Sequence, residues 1–93
     1  MDKNDIRHLS WVLRGKQRRE IIVQIEGPET PTGISSKSGY SLNHTSRILN
    51  ELKRQGLAKL LNPKQKTGRL YVLTSKGKKI RDAIRKKPKG SNP

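Results

Sequence analysis

The reading of this chain turns on Thr30-Pro31-Thr32-Gly33-Ile34-Ser35-Ser36-Lys37-Ser38-Gly39-Tyr40-Ser41-Leu42-Asn43-His44-Thr45-Ser46-Arg47-Ile48-Leu49-Asn50-Glu51-Leu52-Lys53-Arg54-Gln55-Gly56. Thr30 offers an N-cap hydroxyl and Pro31 presets φ at the first helical position, so a helix opens there. Gly39, which tolerates positive φ, stops it. Ser41 caps a longer helix, expected from Leu42 to about Gln55 and ended by Gly56. Within it Thr45, Ile48, Leu49 and Leu52 fall on one stripe and are expected to face inward. Two helices joined by a tight glycine-containing turn make a helix-turn-helix.

The flanks fill in around it. Ile6, Leu9 and Leu13, spaced i, i+3 and i+7, predict a short helix starting near Asn4 or Asp5 and punctuated by Gly15. Ile21, Ile22 and Ile25 mark another, roughly Lys16 to Glu26, stopped by Gly27-Pro28. After Leu57 the period changes. Ala58-Lys59-Leu60-Leu61 and Arg69-Leu70-Tyr71-Val72-Leu73 are short strands, joined by the polar stretch from Asn62 to Gly68. Thr74 or Ser75 then caps a last helix, with Ile80 and Ile84 on its buried side. The expected fold is mainly α with a small β-hairpin, one domain over residues 1–87 with the hairpin at about 58–74. Residues 88–93 read as a flexible basic tail.

Charge narrows the function. Lys and Arg number 22 against 7 Asp and Glu, a formal net charge of +15. Residues 1–46 carry seven basic and five acidic side chains, residues 47–93 fifteen and two, so the second half holds +13 of the excess. Charge this dense repels itself unless a polyanion neutralises it, which makes nucleic acid the first partner to consider. With no cysteine there is no disulfide framework, thiolate metal site or cysteine nucleophile. The longest apolar runs are four residues, too short for a membrane span. Three aromatics are too few for the stacking platforms of single-strand binders. Seven carboxylates and two histidines 36 positions apart give no paired acid and base and no metal-ligand cluster, so neither an enzyme nor a cofactor is expected.

A resemblance sharpens this. Thr30-Pro31-Thr32-Gly33-Ile34, Gly39-Tyr40-Ser41, Ser46-Arg47-Ile48-Leu49-Asn50-Glu51-Leu52 and Gly56-Leu57 resemble the winged helix-turn-helix transcription regulators common in archaea, related to the ArsR and MarR groups. Asn62-Pro63, Gly68-Arg69-Leu70-Tyr71 and Leu73-Thr74-Ser75-Lys76-Gly77 continue it, over roughly Val12 to Ile84. The resemblance implies a winged helix-turn-helix with additional N- and C-terminal helices. It also implies a recognition helix at about 42–55 in the major groove of double-stranded DNA, a wing on the backbone or minor groove, and a homodimer in the cytoplasm, associated with the nucleoid. Two departures matter. Such sequences often carry Glu where Gly33 stands, so the first helix of the motif lacks a capping box and is expected to be frayed or partly 3₁₀. The metal ligands of the ArsR sensors are missing, and metal sensing is not inherited.

The helical wheel places Asn43, Arg47, Asn50 and Arg54 opposite the buried stripe, with His44 and Ser46 flanking. Arg can pair with the guanine edge and Asn with adenine. The family's geometry puts the N-terminal half deepest, favouring Asn43, His44, Ser46 and Arg47 for bases and Arg54 for phosphate. Lys64, Lys66 and Arg69 are the expected wing contacts. A solvated helix face and a solubilising turn are the bland alternatives. Lys76, Lys78, Lys79, Arg81, Arg85, Lys86 and Lys87 either follow a flanking phosphate track or merely coat a surface helix. Apolar surface for a dimer would come from Leu9, Trp11 or Leu13 and from Ile80 or Ile84. Two further functions compete: binding of structured RNA by a basic winged helix, which the charge suits equally but the outward Asn and Arg favour less than DNA, and a protein-interaction module within a transcription complex, against which the +13 half argues.

Overall fold

The computed structural model describes residues 1–86; Lys87 and the tail assigned to 88–93 lie outside the described residues. The chain runs α1 (Lys3–Leu13), α2 (Lys16–Ile22), α3 (Pro31–Ser38), α4 (Leu42–Arg54), β1 (Ala58–Leu60), β2 (Tyr71–Leu73) and α5 (Ser75–Lys86). It is mainly α with a small antiparallel hairpin, in which Ala58 pairs with Leu73, Lys59 with Val72 and Leu60 with Tyr71. The core gathers Val12, Ile21, Ile22, Ile25, Ile34, Ile48, Leu49, Leu52, Leu57, Leu73 and Ile80, so every helix contributes.

The helix-turn-helix forms as its caps dictate. Thr30 accepts from the Gly33 amide at 3.0 Å and Ser41 from the His44 amide at 3.1 Å. Gly39 ends α3 at φ 82°, in the left-handed region that glycine enters without strain. The helix α3 is regular over Pro31–Ser38 rather than frayed or 3₁₀. The Thr30 cap holds its first turn without a Glu partner, and the Ser35 hydroxyl donates across the turn to the Tyr40 carbonyl at 2.6 Å. On α4 the buried residues are Thr45, Ile48, Leu49 and Leu52, as the stripe requires. The Thr45 hydroxyl has no partner among the described residues.

The flanking helices depart from expectation. The helix α1 starts at Lys3 because the Asp2 carboxylate caps it, accepting from the Asp5 amide at 2.8 Å. Its inward stripe runs through Asp5, Leu9 and Val12, which leaves Ile6 53% exposed. The buried carboxylate sets that rotation, since Asp5 must meet Lys79 of α5 at 3.0 Å. The helix α2 ends at Ile22, short of Glu26, and the chain tightens through Gln24 and Ile25 amides bonded three residues back. The freed carbonyls of Val23 and Ile25 accept from Arg85 and Arg81 of α5. The strands are shorter than expected: Leu61, Arg69 and Leu70 lie outside them, though the Leu61 amide still donates to Leu70 O at 2.8 Å. Ile80 is wholly buried in the chain's own core and is not available to a partner. A Cβ on Gly77 would sit 1.9 Å from the Leu57 carbonyl oxygen, so only glycine lets α5 lie this close to the segment entering β1.

Lys79 donates to the Asp5 carboxylate and holds that carboxyl below its ordinary value of 3.8. The unfolded chain therefore takes up the proton more readily than the fold does. The stability gained from the pair is full at neutral pH and is lost as pH falls below about 3.8 through the folded-state value. Urea midpoints followed against pH should show Asp5→Asn less stable than the parent at pH 7, with the gap closing below that point. A gap independent of pH would mean that the carboxylate contributes packing alone.

Candidate nucleic-acid interface

The outward face of α4 carries Asn43, Arg47, Asn50 and Arg54, all exposed, as the periodicity requires once the apolar stripe is buried. His44 and Ser46 sit half-buried on the two flanks. The face slopes on one side toward α2 and on the other toward the wing, the loop between β1 and β2 that holds Lys64, Lys66 and Arg69. An open groove of about 400 Å³ separates α4 from that loop, lined by Pro31, Leu42, Ser46, Lys66, Thr67 and Arg69. Arg69 is only half-exposed, and its buried Nε has no partner among the described residues. Lys64 and Lys66 are exposed.

The side chains are not equally free. The Tyr71 hydroxyl donates to Asn50 at a long 3.4 Å, joining the wing strand to α4. His44 Nε2 lies 2.5 Å from Gln17 Oε1 and its Nδ1 lies 3.2 Å from an Arg47 guanidinium nitrogen. The Tyr40 ring packs on the imidazole with centroids 5.4 Å apart, and its hydroxyl donates to Glu20 of α2. That bond to a carboxylate holds the Tyr40 phenol above its ordinary value.

Charge is distributed with a clear bias. All seven carboxylates are committed internally. Asp2 caps α1, Glu20 accepts from Tyr40, and Asp5, Glu26, Glu29, Glu51 and Asp82 pair with Lys79, Arg85, Lys37, Arg18 and Arg81. Among the described residues none of Arg47, Arg54, Lys64, Lys66 and Arg69 has an acidic partner. The α5 cations divide: Lys79, Arg81 and Arg85 brace α1 and the α2–α3 linker, while Lys78 and Lys86 remain exposed. Arg18 is likewise structural, stacked 4.3 Å over the Trp11 ring and donating to the Trp11 carbonyl at 2.5 Å.

Two positions escaped the sequence reading. Glu29 pairs with Tyr71 in an antiparallel bridge, its amide donating at 2.9 Å and its carbonyl accepting at 2.8 Å, so the segment before α3 becomes a third partner for the hairpin. Asn62 clips the base of the wing: its amide nitrogen donates to Gly68 O at 3.0 Å and its oxygen accepts from the Leu70 amide at 2.8 Å. The Asn-Pro pair pointed to a turn, but not to a side chain closing one. No helix among the described residues is long and apolar enough to cross a membrane, and no group of three or more His, Asp or Glu is placed to hold a metal.

The winged helix-turn-helix family matches residues 16–89. Among solved structures, the chain is similar to wild-type MarR from E. coli in its apo form, with a TM-score of 0.67 and 23% identity over 89% of this chain and 64% of that one. It is similar to a MarR family transcription regulator, TM-score 0.64 and 28% identity over 85% of this chain and 59% of that one. A MarR family protein from Bacillus stearothermophilus gives a TM-score of 0.62 at 18% identity over 87% and 61%. The chain thus spans about three-fifths of the length of these structures. No curated protein sequence matches it.

Removing the Asn62 side chain should release the wing while leaving the core intact. In Asn62→Ala the Leu70 amide should exchange with solvent about tenfold faster, with the Leu49 and Leu52 amides unchanged. Unaltered Leu70 exchange would show that the loop keeps its shape without the clip.

Proposed function

Because the chain belongs to the winged helix-turn-helix family, we propose that it is a transcription regulator that binds double-stranded DNA through α4 and the wing. One observation carries the reading. Every carboxylate is consumed elsewhere, while two amides and two guanidinium groups stand exposed on one helix face beside an acid-free basic loop. Arg and Asn are the side chains that address guanine and adenine edges in the major groove, whereas a purely electrostatic surface needs only Lys. In this reading Asn43, Ser46 and Arg47 meet bases, with Asn50 beside them. Arg54, Lys64, Lys66 and Arg69 meet the backbone, Arg69 at the groove edge. The solved MarR family regulators support the same role.

Specificity and affinity separate by residue. Arg47→Ala should cost about 1–3 kcal/mol at a preferred duplex and less at random sequence, so discrimination narrows. Lys64→Ala with Lys66→Ala should weaken both duplexes by similar factors. That variant should also shallow the salt dependence by about one unit per lost contact, from a parent slope of about −4 to −7. Titrations of both variants on both duplexes, with folded RNA as competitor, decide it. Intact discrimination in Arg47→Ala overturns the assignment of α4, and preferential binding of the RNA overturns the DNA reading.

We further propose a homodimer, since one such domain reads too few base pairs to find a single genomic site and a two-fold pair doubles the site at fixed spacing. The exposed Ile6 beside half-buried Leu9 and Leu13 on α1 provides apolar surface for it. Sedimentation should give twice the chain mass on DNA, with Ile6→Asp lowering it; a parent that stays monomeric both free and bound removes the proposal.

A further inference from the structure

We infer that His44 is a positioning residue that holds the Arg47 guanidinium, and that Gln17 of α2 fixes the imidazole tautomer this requires. The inference rests on the DNA-reading role of α4 and assigns part of its specificity to a helix outside the helix-turn-helix.

The argument is one of donors and acceptors. A guanidinium nitrogen of Arg47 lies 3.2 Å from His44 Nδ1. Arginine has donors only, so Nδ1 must present its lone pair. A neutral ring then carries its proton on Nε2, which lies 2.5 Å from Gln17 Oε1 and can only donate there. The order is unique: Arg47 donates to His44, and His44 donates to Gln17. Tyr40 packs on the ring 5.4 Å away at a 30° tilt, and Glu20 in turn accepts the Tyr40 hydroxyl. The imidazole is therefore bonded at both nitrogens and stacked on a face. A ring so engaged has no hydrogen-bonding atom left for a base.

Arg47 keeps what His44 gives up. It is exposed, and with one nitrogen on His44 the rest of its donor fork is free for a flat acceptor pair such as a guanine edge. A tethered guanidinium loses less side-chain freedom on binding than a solvated one, so the bracket favours the sequence that fits its fixed orientation. Lysine at position 47 would have no plane to orient.

The test uses the full chain and two duplexes of equal length at matched salt, one selected from random sequence and one scrambled, read by fluorescence anisotropy. In His44→Ala the ratio of selected to scrambled affinity should fall about fivefold, with scrambled DNA changed less than about twofold. The same substitution in an Arg47→Ala background should do nothing further, because the two act as one unit. His44→Asn, which keeps an acceptor near the place of Nδ1, should recover most of the ratio. Nitrogen-15 spectra of the ring should show the proton on Nε2 in the parent and a mixed tautomer in Gln17→Met. An unchanged ratio in His44→Ala, or an equal further loss in the Arg47→Ala background, overturns the inference; the latter would make His44 a reader itself. A parent that prefers neither duplex overturns the regulator reading and the specificity role together, while the ring spectrum still decides whether the bracket exists.

Discussion

Tyr71 is the residue through which the parts of this small protein meet. It stands opposite Leu60 of β1 in the hairpin register, and its backbone N–H and C=O both bond to Glu29, the residue before the α3 cap. Its ring is buried in the core and its hydroxyl reaches Asn50 on the outer face of α4. The wing, the entry to α3 and α4 thereby meet at one residue. A two-stranded hairpin is marginal by itself, and the Glu29 bridge lends it a third partner. That bridge adds to the ties between the hairpin and α4 made by the Tyr71 hydroxyl, by the Leu57 amide on Leu52 O and by the shared core.

Electrostatics follows the same economy. A chain with +15 of formal charge has few acids, and Asp5, Glu20, Glu26, Glu29 and Glu51 each join separate segments of the fold, while Asp2 and Asp82 make local contacts. Asp5 joins α1 to α5, Glu51 meets Arg18 of α2, and Glu29 takes Lys37 while its backbone holds β2. Of these, the Glu51–Arg18 pair, at 3.8 Å and partly exposed, contributes little stability, whereas Asp5 is buried. What they leave is a field in which Arg47, Arg54, Lys64, Lys66 and Arg69 have no acidic partner among the described residues.

The motif itself was legible because its signals are local. Thr30, Gly39, Ser41 and the stripe Thr45-Ile48-Leu49-Leu52 specify two helices and a turn from neighbours within a few residues. What escaped has distant partners. Ile6 was read inward from its spacing, yet the stripe is rotated by a buried Asp5 whose partner lies 74 positions away. The end of α2 is set by arginines 56 and 62 positions downstream, which no window around Ile25 contains. Gly33 looked like a weakness in α3 but the Thr30 cap suffices. For the candidate site, the exposed face of α4 followed from periodicity. The engagement of His44 did not, because Gln17 lies on another helix and nothing near it in sequence announces an acceptor.

The guanidinium groups of Arg81 and Arg85 have a mechanical consequence. They grip the carbonyls of Ile25 and Val23, so the linker that delivers the chain into α3 is bolted to the last helix rather than hung loosely between two others. Arg85 also holds Glu26, the next residue along, and keeps that carboxyl below its ordinary value. The helix α5 therefore packs on Leu57 at Gly77 and, one and two turns further on, holds the entry to the motif. With the Glu29–Tyr71 bridge next along the chain, an unbroken run of contacts joins the last helix, residues 23–26 and the wing strand.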